Sequence, residues 1–293
     1  MKYKIKHITR YFYESDVVYS HNQSHLIPRN TPYQNCLTHE FEINPHPDDR
    51  ATRIDVFGNL VAYFSLQIPH REFTVSSSSV VDVAEPDEPD TEFSGLTLEN
   101  VQALMQQQAD PETRLAADFV LDSPFVKRTG DLYNYASPVL RPEQPLLVAV
   151  NELMRKIFTE FEFDPGFTDT ATPLESVLLH KRGVCQDFAH LAIACLRSHG
   201  LAARYVSGYL ETEPPPGQPK LVGADASHAW FAVYLPGAGW LGFDPTNNIV
   251  PMGRHITLAW GRDYTDVTPL KGVIYGGGRH SINVSVDVSA VQD

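Results

Sequence analysis

No helical period develops anywhere in the first 83 residues, and that confines this part of the chain to strands. Tyr3, Ile5, His7 and Thr9 alternate with Lys4, Lys6 and Ile8. Successive side chains on a strand point to opposite faces, so a period of two predicts a half-buried strand. Phe41 and Ile43 repeat the pattern, as do Val61, Tyr63 and Ser65 after the turn at Gly58-Asn59. Phe73 and Val75, then Val81 and Val83, continue it. Residues 1–84 are therefore expected to form an antiparallel β-sandwich.

The chain then changes character. Glu85, Asp87, Glu88, Asp90 and Glu92 crowd around Pro86 and Pro89. Charge repulsion and proline keep such a segment extended, so residues 85–95 read as a linker. Beyond it, apolar side chains recur at helical spacing. The clearest stripe is Leu146, Leu147, Val150, Leu153, Met154 and Ile157, in a helix expected from Pro142 to Phe161. Asp110-Pro111-Glu112 and Thr172-Pro173-Leu174-Glu175 have the composition of helix starts. A helix from Cys185 to His199, closed by Gly200, buries Phe188, Leu191, Ala192, Cys195 and Leu196 on one side. Strands are expected at 202–210, 228–235 and 240–244, with two more near 273–274 and 282–288. Helices followed by mostly consecutive strands make residues 96–293 an α+β domain rather than a doubly wound sheet.

Bulk charge narrows the partners. Lys and Arg number 23 against 36 Asp and Glu, a net charge of −13. That balance argues against nucleic acid and against an anionic membrane surface. The N-terminus has no apolar run of a signal peptide, and no stretch has the length of a membrane span. Cys36, Cys185 and Cys195 are odd in number and far apart, which suits no disulfide framework and fits a cytoplasmic location.

One thiol stands apart. Cys185 opens its helix after Arg182-Gly183-Val184, where unpaired N–H groups and the helix dipole favour an anion. The same N–H groups could hold an oxyanion. No residue is identified as a second oxyanion donor, and Gln186 has only its position to recommend it. Cys195 lies on the apolar stripe and reads as core, the usual fate of a free thiol. His228 opens one expected strand, and Asp244 ends the next, before Pro245. Singly, these read as a satisfied strand histidine and a turn-forming aspartate. Together with Cys185 they fit a thiol nucleophile, an imidazole base and a carboxylate that orients the imidazole. His180, Cys185, His190, Cys195 and His199 are metal-ligand types, but steps of five and ten residues turn a helix by about 140° and 280°. They do not converge, so no metal site is read there. Gly276-Gly277-Gly278 lacks the lysine and helix of a phosphate loop and reads as a loop reaching toward the site.

The segments Gly183 to Leu191, Ala203 to Tyr209, Ser227-His228-Ala229-Trp230 and Gly242-Phe243-Asp244-Pro245-Thr246-Asn247 together resemble the bacterial transglutaminase-like family. Their order also resembles that of the wider papain-like thiol enzymes. The resemblance covers roughly the last two-thirds of the chain, Tyr275 to His280 being similar to a terminal signature of the bacterial group. The β-rich N-terminus is similar to an extra domain such proteins often carry. The resemblance implies Cys185 as nucleophile, His228 as base and Asp244 as orienter, with no cofactor and a peptide or protein amide as substrate. Hydrolysis through a thioester is the expected reaction, and amine transfer is the alternative. A non-catalytic protein-binding scaffold is the reading from a different class.

Overall fold

The computed structural model describes residues 1–85, 95–169, 172–211 and 227–291; the expected linker, save its two ends, lies outside the described residues. Five strands come first: β1 (Lys2–Ser24), β2 (Gln34–Asn44), β3 (Asp49–Ile54), β4 (Leu60–Leu66) and β5 (His70–Val83). Then come α1 (Leu98–Gln107), α2 (Pro111–Ala117), α3 (Gly130–Ala136), α4 (Leu146–Glu160), β6 (Glu162–Phe163), α5 (Leu174–His180) and β7 (Arg182–Gly183). The remainder is α6 (Cys185–Ser198), β8 (Ala203–Leu210), β9 (Ser227–Leu235), β10 (Gly239–Phe243), β11 (His255–Gly261), α7 (Tyr264–Val267), β12 (Leu270–Gly276) and β13 (His280–Ala290).

β1 is the spine of the N-terminal part. Tyr3, Ile5, His7 and Thr9 are buried while Lys2, Lys4 and Lys6 are exposed, as the alternation requires. The register of β1 shifts between Phe12 and Val17. Before the shift it runs between β5 and β13; after it, between β4 and β12. One strand therefore runs through a single seven-stranded sheet, and Phe64 of β4 reaches Phe41 of β2 and Phe73 of β5 at centroid distances of 6.2 and 5.8 Å.

β12 and β13, expected with the α+β part, complete this N-terminal sheet instead. Residues 3–13 of β1 pair with residues 280–290 along their whole length. Alternation marks a strand but not the sheet it will join, which is why the sequence left this pairing hidden. The turn at Gly276–Gly278 packs against the β1 irregularity and not against the site. Gly276 has φ 96°, and a Cβ there would lie 2.4 Å from the Asp16 carbonyl oxygen, so only glycine fits.

The second part is a four-stranded antiparallel sheet in the order β10-β9-β8-β11, with α6 laid across β9 and β8. Helix starts follow the sequence signals: Asp110 caps α2 by accepting from the Thr113 amide at 2.9 Å. Neither α3 nor β11 has a counterpart in the sequence reading. On the sheet, Val206, Trp230 and Ala232 cluster with Trp240 and Trp260. The Arg204 guanidinium stacks on Trp260 at 3.6 Å and on Trp240 at 4.3 Å, and Arg29 of the N-terminal part stacks on Trp260 at 3.1 Å. The free edge of β11 is met by Gln34, whose side-chain amide donates to the Thr257 carbonyl and accepts from the Thr257 N–H, both at 2.7 Å. Among the described residues, no helix is long and apolar enough to cross a membrane.

Candidate active site

The approach to Cys185 is built by Asp187. Its Oδ2 accepts from the Val184 N–H at 2.8 Å and from the Thr168 hydroxyl at 2.7 Å. Burial pushes its carboxyl up, and those two hydrogen bonds oppose the shift. A Cβ on Gly183 would lie 2.8 Å from the same oxygen, so glycine is what lets this turn close. Cys185 is left half-buried at the first position of α6, where the helix dipole favours negative charge. Cys195 is fully buried on the same helix, and burial pushes its thiol up. His190, one turn beyond Cys185, accepts from the Tyr264 N–H at 3.1 Å and lies against the Tyr205 ring at 4.9 Å. Burial lowers its pKa, so it is a neutral, satisfied core histidine.

The structure brings Cys185, His228 and Asp244 together. β9 carries His228 and β10 delivers Asp244 just past its end, on the adjacent antiparallel strand. His228 Nε2–H donates to Asp244 Oδ2 at 2.7 Å, with side chains 11 % and 0 % exposed. Burial of the ring works against its charge, but the hydrogen bond to Asp244 and then that to Cys185 outweigh it, pushing His228 up to about 10. Burial likewise works against the charge of Asp244. Hydrogen bonds from His228 and His255, the charge of His228 and the Asn247 amide hold it well below the usual carboxylate range.

Gln186, half-buried, lines a cavity of about 250 Å³ with Phe125, Lys127, Glu175 and His190. A second cavity of about 640 Å³ lies between the N-terminal sheet, at Tyr3 and Val83, and the loop before β11, with Asn247 and His255 in its wall.

Sequence reasoning missed two partners of Asp244. His255 Nε2 lies 3.1 Å and Asn247 Nδ2 2.8 Å from Asp244 Oδ2. Asn247 stands in the motif already quoted. His255 opens a strand the sequence reading omitted, where the alternation of Ile256 and Leu258 was the available signal. His228, Asp244 and His255 are also of metal-ligand type, with their ligating atoms within 4.8 Å of one another. Oδ2, however, sits 2.7 to 3.1 Å from three N–H groups. Those are hydrogen-bond distances, whereas a tetrahedral metal holds its ligands roughly 3.3 Å apart.

A thiol at a helix N-terminus, packed over an antiparallel sheet that brings it a histidine and an aspartate, defines the papain-like class of fold. Within that class, the chain belongs to the bacterial transglutaminase-like family. Residues 3–82 match the bacterial transglutaminase-like N-terminal region, and residues 133–245 match the transglutaminase-like superfamily. Members of that superfamily are usually cysteine enzymes. An uncharacterized protein of Mycobacterium tuberculosis is 44% identical over 292 residues, spanning 98% of this chain and 92% of that one. A protein-glutamine gamma-glutamyltransferase of Pseudomonas aeruginosa is 29% identical over 182 residues, 60% of this chain and 27% of that protein. The crystal structure of a candidate cysteine protease from Cytophaga hutchinsonii shares the fold, with a TM-score of 0.78 at 22% identity over 100% of this chain and 91% of that one.

Proposed function

We propose that this protein is a cysteine enzyme that cleaves an amide bond in a peptide or protein through a thioester on Cys185. The observation that carries the reading is the His228–Asp244 contact, in a ring whose charged form is favoured by Cys185 as well as by Asp244. In this mechanism His228 takes the thiol proton and the sulfur attacks the amide carbonyl carbon. The first-turn amides of α6 face the developing oxyanion. Asp244 stabilises the imidazolium and holds it in one orientation. The imidazolium then protonates the leaving amine, and the C–N bond breaks. Water, deprotonated by His228, attacks the thioester and frees the acid and the thiol.

A second reading, transfer of the acyl group to an amine, draws its support from the likeness to the Pseudomonas gamma-glutamyltransferase. It shares every step up to the thioester. The test of both is selective alkylation of the native protein by iodoacetamide. Cys185 should react at least about ten-fold faster than Cys36, whose thiol is raised by burial, or the fully buried Cys195. Equal rates at the three thiols would remove Cys185 as nucleophile.

A further inference from the structure

Asp244 has more partners than a carboxylate needs for orienting one histidine. Oδ1 accepts from the Thr246 and Asn247 backbone amides at 3.0 and 3.3 Å. Oδ2 accepts from three side chains on three different segments: His228 on β9, Asn247 in the turn after β10, and His255 on β11. The His255 side chain is 4 % exposed, and its ring meets the Trp230 ring edge-on at 5.2 Å. Trp230 in turn stacks with His228 at 6.1 Å. His255 Nδ1 is buried with no hydrogen-bond partner. A buried bare lone pair costs less than a buried unpaired N–H, and an ionised Asp244 requires donors around it. His255 is therefore the Nε2–H tautomer, aimed at Oδ2.

We propose that His255 is a positioning residue for the catalytic histidine: by anchoring Asp244 from β11, it keeps Oδ2 directed at His228. The proposal rests on the reading of Cys185 and His228 as nucleophile and base. The physical reason is triangulation. Asn247 approaches Oδ2 from the same turn as Asp244 and moves with it, and His228 is the group being positioned. Among the described residues, His255 is the donor to Oδ2 that comes from a strand other than those of Asp244 and of the histidine being positioned. That strand is pinned to the N-terminal sheet by Gln34. The N-terminal part thus contributes to the geometry of the site through β11.

Two substitutions separate positioning from packing. His255→Phe keeps a ring against Trp230 and removes the donor; His255→Gln returns an N–H donor. Both are assayed in the full chain by turnover of an activated acyl ester probe and by Cys185 alkylation. His255→Phe should lower kcat about ten-fold or more with KM within about two-fold, as loss of a partner behind a working imidazole does, and His255→Gln should recover most of it. A Phe variant as active as the native protein, or a Gln variant no better than Phe, overturns the proposal. If both variants unfold, nitrogen NMR of the native histidines decides it. His255 should show a protonated Nε2 and a bare Nδ1, and a proton on Nδ1 at neutral pH overturns it. The two readings fail separately. A native Cys185 that alkylates no faster than Cys36 removes the functional reading; a reactive Cys185 with a fully active Phe variant removes only the role of His255.

Discussion

The side-chain amide of Asn59 meets Trp260 twice: its oxygen accepts the Trp260 N–H at 3.0 Å, and its nitrogen donates to the Trp260 carbonyl at 2.8 Å. Asn59 belongs to the turn before β4, and Trp260 to the free edge of β11. One amide side chain thus does the work of a neighbouring strand, and Gln34 does the same at Thr257. Asn59→Ala leaves two edge groups of β11 without their partners and also strips a side-chain acceptor from Arg29. A loss of about 2–4 kcal/mol in unfolding free energy is expected, read from the urea midpoint. A midpoint within error of the native protein would mean that water replaces the amide at no cost.

Gly208 stands opposite His228 in the β8–β9 pair. A Cβ there would lie 2.1 Å from the Ile256 carbonyl oxygen and 2.6 Å from the Trp230 ring. Trp230 underlies both His228 and His255, so Gly208→Ala should act on the site as well as on stability. The expected cost is about 2 kcal/mol or more from overpacking, with Cys185 alkylation slowed in the variant that still folds. Gly130→Ala, where a Cβ meets nothing within 4 Å, is the control and should leave both unchanged. A Gly208→Ala protein with native alkylation and native midpoint would show that the strands part easily at this point.

The two charged partners make stability depend on pH in opposite directions. His228 is raised to about 10, above the ~6.5 of an unfolded chain. Its contribution is complete below about pH 6.5 and is lost as pH rises toward 10. Asp244 is depressed, so its contribution is present above about pH 4 and is lost as pH falls below that. The native protein should therefore lose more unfolding free energy between about pH 7 and 10 than His228→Gln does. Parallel curves for the two proteins would place the His228 pKa near its ordinary value.

What the sequence made legible was local. The start of α6, the cap at Asp110 and the alternation of Tyr3 to Thr9 depend on neighbours within a few residues, and each left a pattern. The order of Cys185, His228 and Asp244 was readable for the same reason, because each sits at the end of a recognisable element. What stayed hidden was long-range. β12 and β13 pair with the first strand of the chain, from Ser24↔Leu270 to Tyr3↔Ala290, and nothing in Ile282 or Val284 names that partner. His255 was missed because its role lies in a hydrogen bond to a residue on another strand, and a lone histidine in an apolar stretch carries no such mark. Its strand is seven residues long and ends on Gly261, a residue type that weakens a strand pattern.

The fate of the acyl-enzyme is decided by whether an amine reaches the thioester ahead of water, and water is far more concentrated than any cellular amine. Transfer therefore needs a built acceptor site that holds the amine at high effective concentration and excludes water. For a primary amine, cationic at neutral pH, such a site would be acidic and open to Cys185. The cavity beside Gln186 is lined by Lys127 as well as by Glu175 and Asp187, and Asp187 Oδ2 is already taken by the Val184 N–H and the Thr168 hydroxyl, so the cavity sets a lysine against its free carboxylate. The larger cavity has Asn247 and His255 in its wall, the two residues that hold Asp244 along with His228, and so lies behind the aspartate rather than at the thiol. Neither favours an ammonium over water at the thioester. With a glutamine-containing peptide and a primary amine in the millimolar range, free acid should exceed amide product. Amide in excess over acid would reverse the order of the two readings and make the protein an acyltransferase first.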